Sequence, residues 1–161
     1  HLFFLSITLL LISCGPYSFT GADTGEAKTF QVNYFQNNAP VIEPGLDRDF
    51  TNALVDLIQN QTNLNLVNTN GDLVYEGEIT EYRISPTTST ANNTAAQNRL
   101  TMTVNLRYTN TKKQEDSFEQ RFSFFYDFDA NQQLFDIKDA ANREIFERIT
   151  QDIFNATLAK W

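Results

Sequence analysis

The chain has 161 residues, 41% of them hydrophobic and 20% charged, which is enough for one domain with its own core and outside the range of a disordered polymer. Twelve Lys and Arg against 20 Asp and Glu leave a net charge of −8, a balance that repels a nucleic-acid backbone and excludes that class of partner. The only Cys is Cys14 and the only His is His1, so imidazole and thiolate catalysis have almost nothing to work with and a non-enzymatic role is expected.

Nine of the first 13 residues are large and apolar, and no charge precedes Asp23. This is the pattern of a signal-peptide apolar region, and at 1.5 Å per helical residue it is too short for the roughly 30 Å of a bilayer core. A basic stretch is missing and the chain opens on His, so the precursor is expected to start upstream. The segment closes with Leu11-Ile12-Ser13-Cys14-Gly15, which resembles a bacterial lipobox. Residues 1–13 then read as a lipoprotein signal peptide, Cys14 as the lipidated residue and 14–27 as a tether. Two or three acyl chains, palmitate among them, would anchor the chain nearly permanently, since each buried CH₂ contributes about 0.8 kcal/mol. Gly15 is not the Asp that resemblance to enterobacterial lipoproteins would associate with inner-membrane retention, so the resemblance implies outer-membrane sorting as the default.

Residues 28–161 read as a single domain. Phe30, Val32 and Tyr34 alternate along residues 28–35, predicting a first strand. Glu43-Pro44-Gly45 introduces a helix with Leu46, Phe50, Leu54, Leu57 and Ile58 on one stripe. After an Asn70-Gly71 turn, Leu73, Tyr75, Gly77 and Ile79 alternate along a long strand, while Tyr82 and Ile84 fall on the opposite parity. That switch means either a bulge near Thr80 or a strand end that presents apolar groups away from the core. Residues 85–97, rich in Thr, Ala and Asn, read as a long mobile loop. Leu100, Met102, Val104, Leu106 and Tyr108 pair as an antiparallel hairpin with Phe118, Phe122, Phe124, Tyr126 and Phe128, and Phe125 points to the other face. Ile145, Phe146, Ile149, Ile153 and Phe154 mark a second helix over 139–160, with Arg143/Glu147 and Glu144/Arg148 pairs on its wet side. The expected fold is α+β, with two helices on one face of a mostly antiparallel four-stranded sheet in the order β-α-β-β-β-α.

Tyr17-Ser18-Phe19-Thr20-Gly21, Gln31-Val32-Asn33-Tyr34-Phe35, Gly71-Asp72-Leu73-Val74-Tyr75-Glu76-Gly77-Glu78-Ile79 and Glu144-Ile145-Phe146-Glu147-Arg148-Ile149, in this order and spacing, resemble the LptE family in its Bacteroidetes-type form. The resemblance implies a lipoprotein of the outer membrane, facing the periplasm and a barrel lumen, that plugs the β-barrel LptD and assists delivery of lipopolysaccharide. Other members of the family contact lipopolysaccharide through basic residues, and the only adjacent basic pair here is Lys112-Lys113. Lys112 and Lys113 are therefore candidate contacts to lipid phosphate or to barrel carboxylates, against the plain alternative of a solvated turn.

Other chemistry has little support. Glu76/Glu78 and Asp127/Asp129 lie two apart but on the polar parity of their strands, where they decorate a wet face. No spacing suits a metal, a phosphate loop or a nucleophile elbow, so no cofactor and no metal are expected. Phe125, Tyr82 and Ile84, all off the core parity, are candidate partner contacts. The competing function is a free-standing periplasmic lipoprotein that binds a small ligand or glycan beside the loop at 85–97.

Overall fold

The computed structural model describes residues 21–87 and 97–159. In chain order these form β1 (Thr29–Val32), β2 (Gln36–Asn37), α1 (Leu46–Gln61), β3 (Asn65–Leu66), β4 (Leu73–Thr87), β5 (Gln97–Asn110), a 3₁₀ turn (Gln114–Asp116), β6 (Phe118–Asp129) and α2 (Leu134–Leu158). The sheet runs β3-β1-β4-β5-β6, with β2 also paired to β4. It is α+β as expected, but six-stranded and mixed rather than four-stranded and mostly antiparallel. β1 runs parallel to β3 and β4, and β2 parallel to β4. Two-residue strands carry no readable alternation, and parallel neighbours need a crossover connection, which α1 supplies between β1 and β3.

The expected strand over 28–35 is broken. Phe30 is buried and Tyr34 exposed, because the chain leaves the ladder after Val32 and turns Phe35 inward instead. The Phe35 amide donates to the Thr51 hydroxyl (3.2 Å), and its ring meets Phe50 edge-on at 5.4 Å. Phe35 also lies over Gly77, where a Cβ would come within 2.8 Å of its ring and 2.0 Å of the Asn105 carbonyl oxygen. Gly77 is thus the opening in the apolar row of β4 that lets the broken strand pack. Asn70 makes its turn at φ 55°, a left-handed conformation that Asn tolerates better than most residues.

β4, β5 and β6 form the antiparallel body of the sheet, and Leu100, Met102, Val104 and Leu106 of the central strand are fully buried. The β4–β5 register shifts between Ile79 and Glu81, so Thr80 is an extra residue and alternation resumes with Tyr82 turned inward. Tyr82 is 0% exposed, opposite Met102, and its hydroxyl donates to the Asn142 side chain of α2 at 2.9 Å. Of the two ways to read the parity switch, the bulge is the one present. β4 continues to Thr87 and β5 begins at Gln97, so residues 85–87 and 97 belong to strands; the remainder of the expected loop, 88–96, lies outside the described residues.

The two helices cover one face of the sheet. α1 buries Leu46, Phe50, Leu54 and Ile58, and α2 buries Ile145, Ile149, Ile153 and Phe154, with Phe50 and Phe146 edge-to-face at 5.7 Å. α2 starts five residues before the expected point, at Leu134, since Ile137 and Ala141 extend its apolar stripe. Arg148 turns to Asp152 (3.4 Å) rather than to Glu144. At the far end of α2 the Asp23 amide donates to the Leu158 carbonyl at 2.6 Å, tying the start of the described chain to the helix C-terminus.

Candidate functional site

Opposite the helices, β4, β5 and β6 present a second face that no element of the described chain covers. Alternation fixes its content: Glu76, Glu78, Glu81 and Arg83 from β4, Arg99, Thr103, Asn105 and Arg107 from β5, and Ser123, Phe125 and Asp127 from β6. These side chains are joined across the strands. Arg107 sits 2.9 Å from Glu78 and 3.7 Å from Glu76, which also accepts from the Asn33 side-chain amide at 3.0 Å. Asn105 donates to Glu78 (3.0 Å) and to Glu119 (2.7 Å), and its bond to Glu78, ahead of Arg107, holds that carboxyl below its usual pKa. Further along, Arg83 pairs with Glu81, and Thr103 donates to Glu81 at 2.9 Å.

Phe125 stands on this polar face at 41% exposure. The Arg99 guanidinium lies 3.6 Å above its ring and forms a bidentate pair with Asp127, at 2.7 and 2.8 Å. The Arg99 fork is the main cause of the lowered Asp127 pKa. Arg99 escapes a reading of the sequence because only strand register brings it beside Phe125 and Asp127, 26 and 28 residues further on.

The other candidates separate. Tyr82 is buried and has no surface to offer a partner, and burial pushes its hydroxyl up to about 12. Ile84 is 41% exposed, but on the helix side of the sheet, beyond the cover that α2 gives Tyr82. Lys112 and Lys113 lie in the β5–β6 turn, each already engaged: Lys112 with Asp72 at 3.2 Å and Lys113 with Asp116 at 2.9 Å. Asp72 is itself a clasp. It accepts from the backbone amides of Lys28 (2.9 Å) and Thr29 (3.1 Å), and these bonds, the first above all, lower its pKa to about 2. A groove of about 560 Å³ opens beside this turn, lined by Asp23, Glu26, Tyr108, Lys112 and Leu158 among others. Cys14 lies outside the described residues.

Among the described residues no three Asp, Glu, His or Cys converge as a metal site, and no helix is long and apolar enough to cross a membrane. The arrangement offers recognition surfaces: a wide, cross-linked polar sheet face carrying one aromatic, and a charged turn beside a groove.

Residues 27–157 match the sequence model of LptE, described as lipopolysaccharide-assembly. The chain belongs to the LptE family. No curated protein matches this LptE-family chain in sequence. Among solved structures, protein XCC0632 from Xanthomonas campestris is similar at 10% identity and TM-score 0.54, over 82% of this chain and 84% of that one. Protein CT253 from Chlamydia trachomatis is similar at 10% identity and TM-score 0.52, over 83% and 99%. The rare lipoprotein B from Shewanella oneidensis aligns at 12% identity and TM-score 0.47, over 78% and 89%. At these identities the first two similarities concern the fold of the LptE-family domain and nothing finer.

Proposed function

We propose that this LptE-family protein is a lipid-anchored subunit of the outer membrane that sits within the barrel of LptD and assists the insertion of lipopolysaccharide at the cell surface. The observation that carries this reading, beside the family, is the uncovered face of β4, β5 and β6. Cross-strand ion pairs stabilise a solvent-facing sheet modestly, and a face whose charges are already neutralised in place is also one that the polar interior of a β-barrel can receive. Acyl chains on Cys14 would hold the domain at the membrane, and an outer-membrane location facing the periplasm and the lumen follows from that anchor and the barrel together.

Co-expression with the barrel and purification through a tag on this chain in mild detergent tests the reading: a stoichiometric complex with a β-barrel of several times its mass is expected. Phe125→Asp should leave the isolated domain folded, since a half-exposed ring contributes little to the core, but reduce the barrel retained. Phe122→Asp, 7% exposed on the opposite face, should unfold it. A monodisperse lipoprotein without a barrel would overturn the proposal in favour of a free-standing ligand binder. The intact mass of the mature chain should show residues 1–13 removed and acyl chains added at Cys14; the mass of an unmodified chain would refute the anchor.

A further inference from the structure

At the end of the molecule away from Asp23 and Leu158, large apolar side chains stand in the open. Ile42 is 84% exposed and Val41 43%, in the loop before α1, and Phe135 is 80% exposed in the first turn of α2. One ion pair, Lys138 Nζ to Glu43 Oε1 at 2.7 Å, fastens the loop to the helix one residue after Ile42 and one turn after Phe135. The same Lys138 lies 5.6 Å from the Phe135 ring. One helical turn further on, Asn142 holds Tyr82, and Ile84 is the next residue of β4 on that face. This cluster lies beyond the helix cover of the core. Four large apolar groups exposed at one end of a domain, rather than scattered singly over its surface, are the pattern by which a docking surface is recognised.

Charge selects the occupant. Asp136 and Asp139 flank Phe135 and Lys138 on α2, and Asp129 ends β6 just before that helix. Lys138 is consumed by Glu43, and Asp139 adds to the field that raises its pKa. Asp129 and Asp136 have no ion-pair partner among the described residues. An apolar tip with an acidic rim repels phosphate and anionic lipid and fits an apolar protein surface bordered by Lys or Arg. Its position agrees. α2 spans about 37 Å at 1.5 Å per residue, so the tip lies that far from the end to which the segment from Cys14 is tied, and residues 14–22 reach about 30 Å at most. In a chain anchored at Cys14 the tip then lies at the end of the described domain opposite the one to which Asp23 is tied.

We infer that the tip formed by Val41, Ile42, Ile84 and Phe135 docks on an apolar, basic-rimmed patch of the barrel wall, an inference that rests on the barrel reading above. Full-length chain is co-expressed with the barrel and captured in mild detergent as wild type, as Ile42→Asp/Phe135→Asp, and as Asp129→Asn/Asp136→Asn/Asp139→Asn. Because all five side chains are exposed, the melting temperature of each isolated variant should stay within about 3 °C of wild type. The first variant is expected to retain at least tenfold less barrel, and the second to retain less and to lose the dependence of capture on salt. Wild type retaining the barrel while Ile42→Asp/Phe135→Asp retains it equally would overturn the tip and leave the barrel reading standing. Wild type retaining none would overturn both. Unchanged barrel capture together with loss of co-flotation on vesicles of lipopolysaccharide and phospholipid would assign the tip to lipid and overturn a basic protein partner.

Discussion

Asp72 shows how one side chain can close a sheet at its rim. Two backbone amides of the β1 entry and the ammonium of Lys112 converge on its carboxylate, while its own carbonyl accepts from the Thr111 amide at 2.8 Å, so the starts of β1 and β4 and the β5–β6 turn meet there. Its pKa is lower folded, about 2, than unfolded, near 3.8. A depressed carboxylate contributes stability that is present above the unfolded value and is lost as pH falls through the folded one. Asp72→Asn is therefore expected to cost about 1.5–3 kcal/mol at pH 7, the range for hydrogen bonds to a charged group. It should also flatten the fall in stability between pH 4 and pH 2. Urea melts across that interval check both, and an unchanged pH profile would refute the clasp. The same contacts recast Lys112: its charge is spent inside the chain, so the sequence-level idea of a basic pair open to phosphate now competes with a structural task.

β4 is the element on which most of the tertiary arrangement depends. Fifteen residues long, it pairs with β1, β2 and β5, and it keeps a single apolar face only because Thr80 is absorbed as a bulge. With Thr80 deleted, Ile79, Glu81 and Tyr82 would alternate without interruption, so Tyr82 would still face Asn142. Deletion of Thr80 is therefore expected to leave the domain folded, at a cost well below the 3–5 kcal/mol of truncating a buried aromatic such as Tyr82 to Ala. Thermal melts of the two variants provide the comparison. If loss of Thr80 proved the more damaging, the extra twist that a bulge supplies would be what β4 needs, rather than the accommodation of one surplus residue. Gly77 on the same strand shows the complementary case, where a missing side chain admits the Phe35 ring.

At the scale of the whole molecule the domain is built asymmetrically: helices and core on one side of the sheet, a polar lattice on the other, a charged groove at one end and an apolar tip at the other. Cooperative stability should be concentrated where the long strands and α2 meet. Native-state hydrogen exchange is expected to show the amides of Leu100, Met102, Val104 and Leu106 opening only with global unfolding. Those of β2 and β3, two residues each at the parallel side of the sheet, should open locally and sooner. Protection of β3 equal to that of β5 would contradict this division. The same asymmetry leaves two chemically distinct surfaces that no other described residues cover, which is the ground for proposing a protein received by a partner.

Long periodic segments are legible directly from residue order. The Leu100 to Tyr108 alternation, the Phe-rich partner strand, the apolar stripes of both helices and the outward Phe125 follow from periods of 2 and 3.6, because each such element must bury one face. The chain also resembles its family in short blocks of fixed order, and the match over residues 27–157 bears that resemblance out. What periodicity does not contain is anything decided between distant residues. The side to which Tyr82 turns depends on one surplus residue finding room against β5. Phe35 replaces Tyr34 inside because Gly77, over forty residues away, leaves space for its ring. Arg99, Phe125 and Asp127 become one group, and Lys138 joins Glu43, only when register and packing place them side by side. Local periods reflect the interaction of each element with water, whereas these contacts reflect the interaction of elements with one another, and only the folded chain brings them within reach.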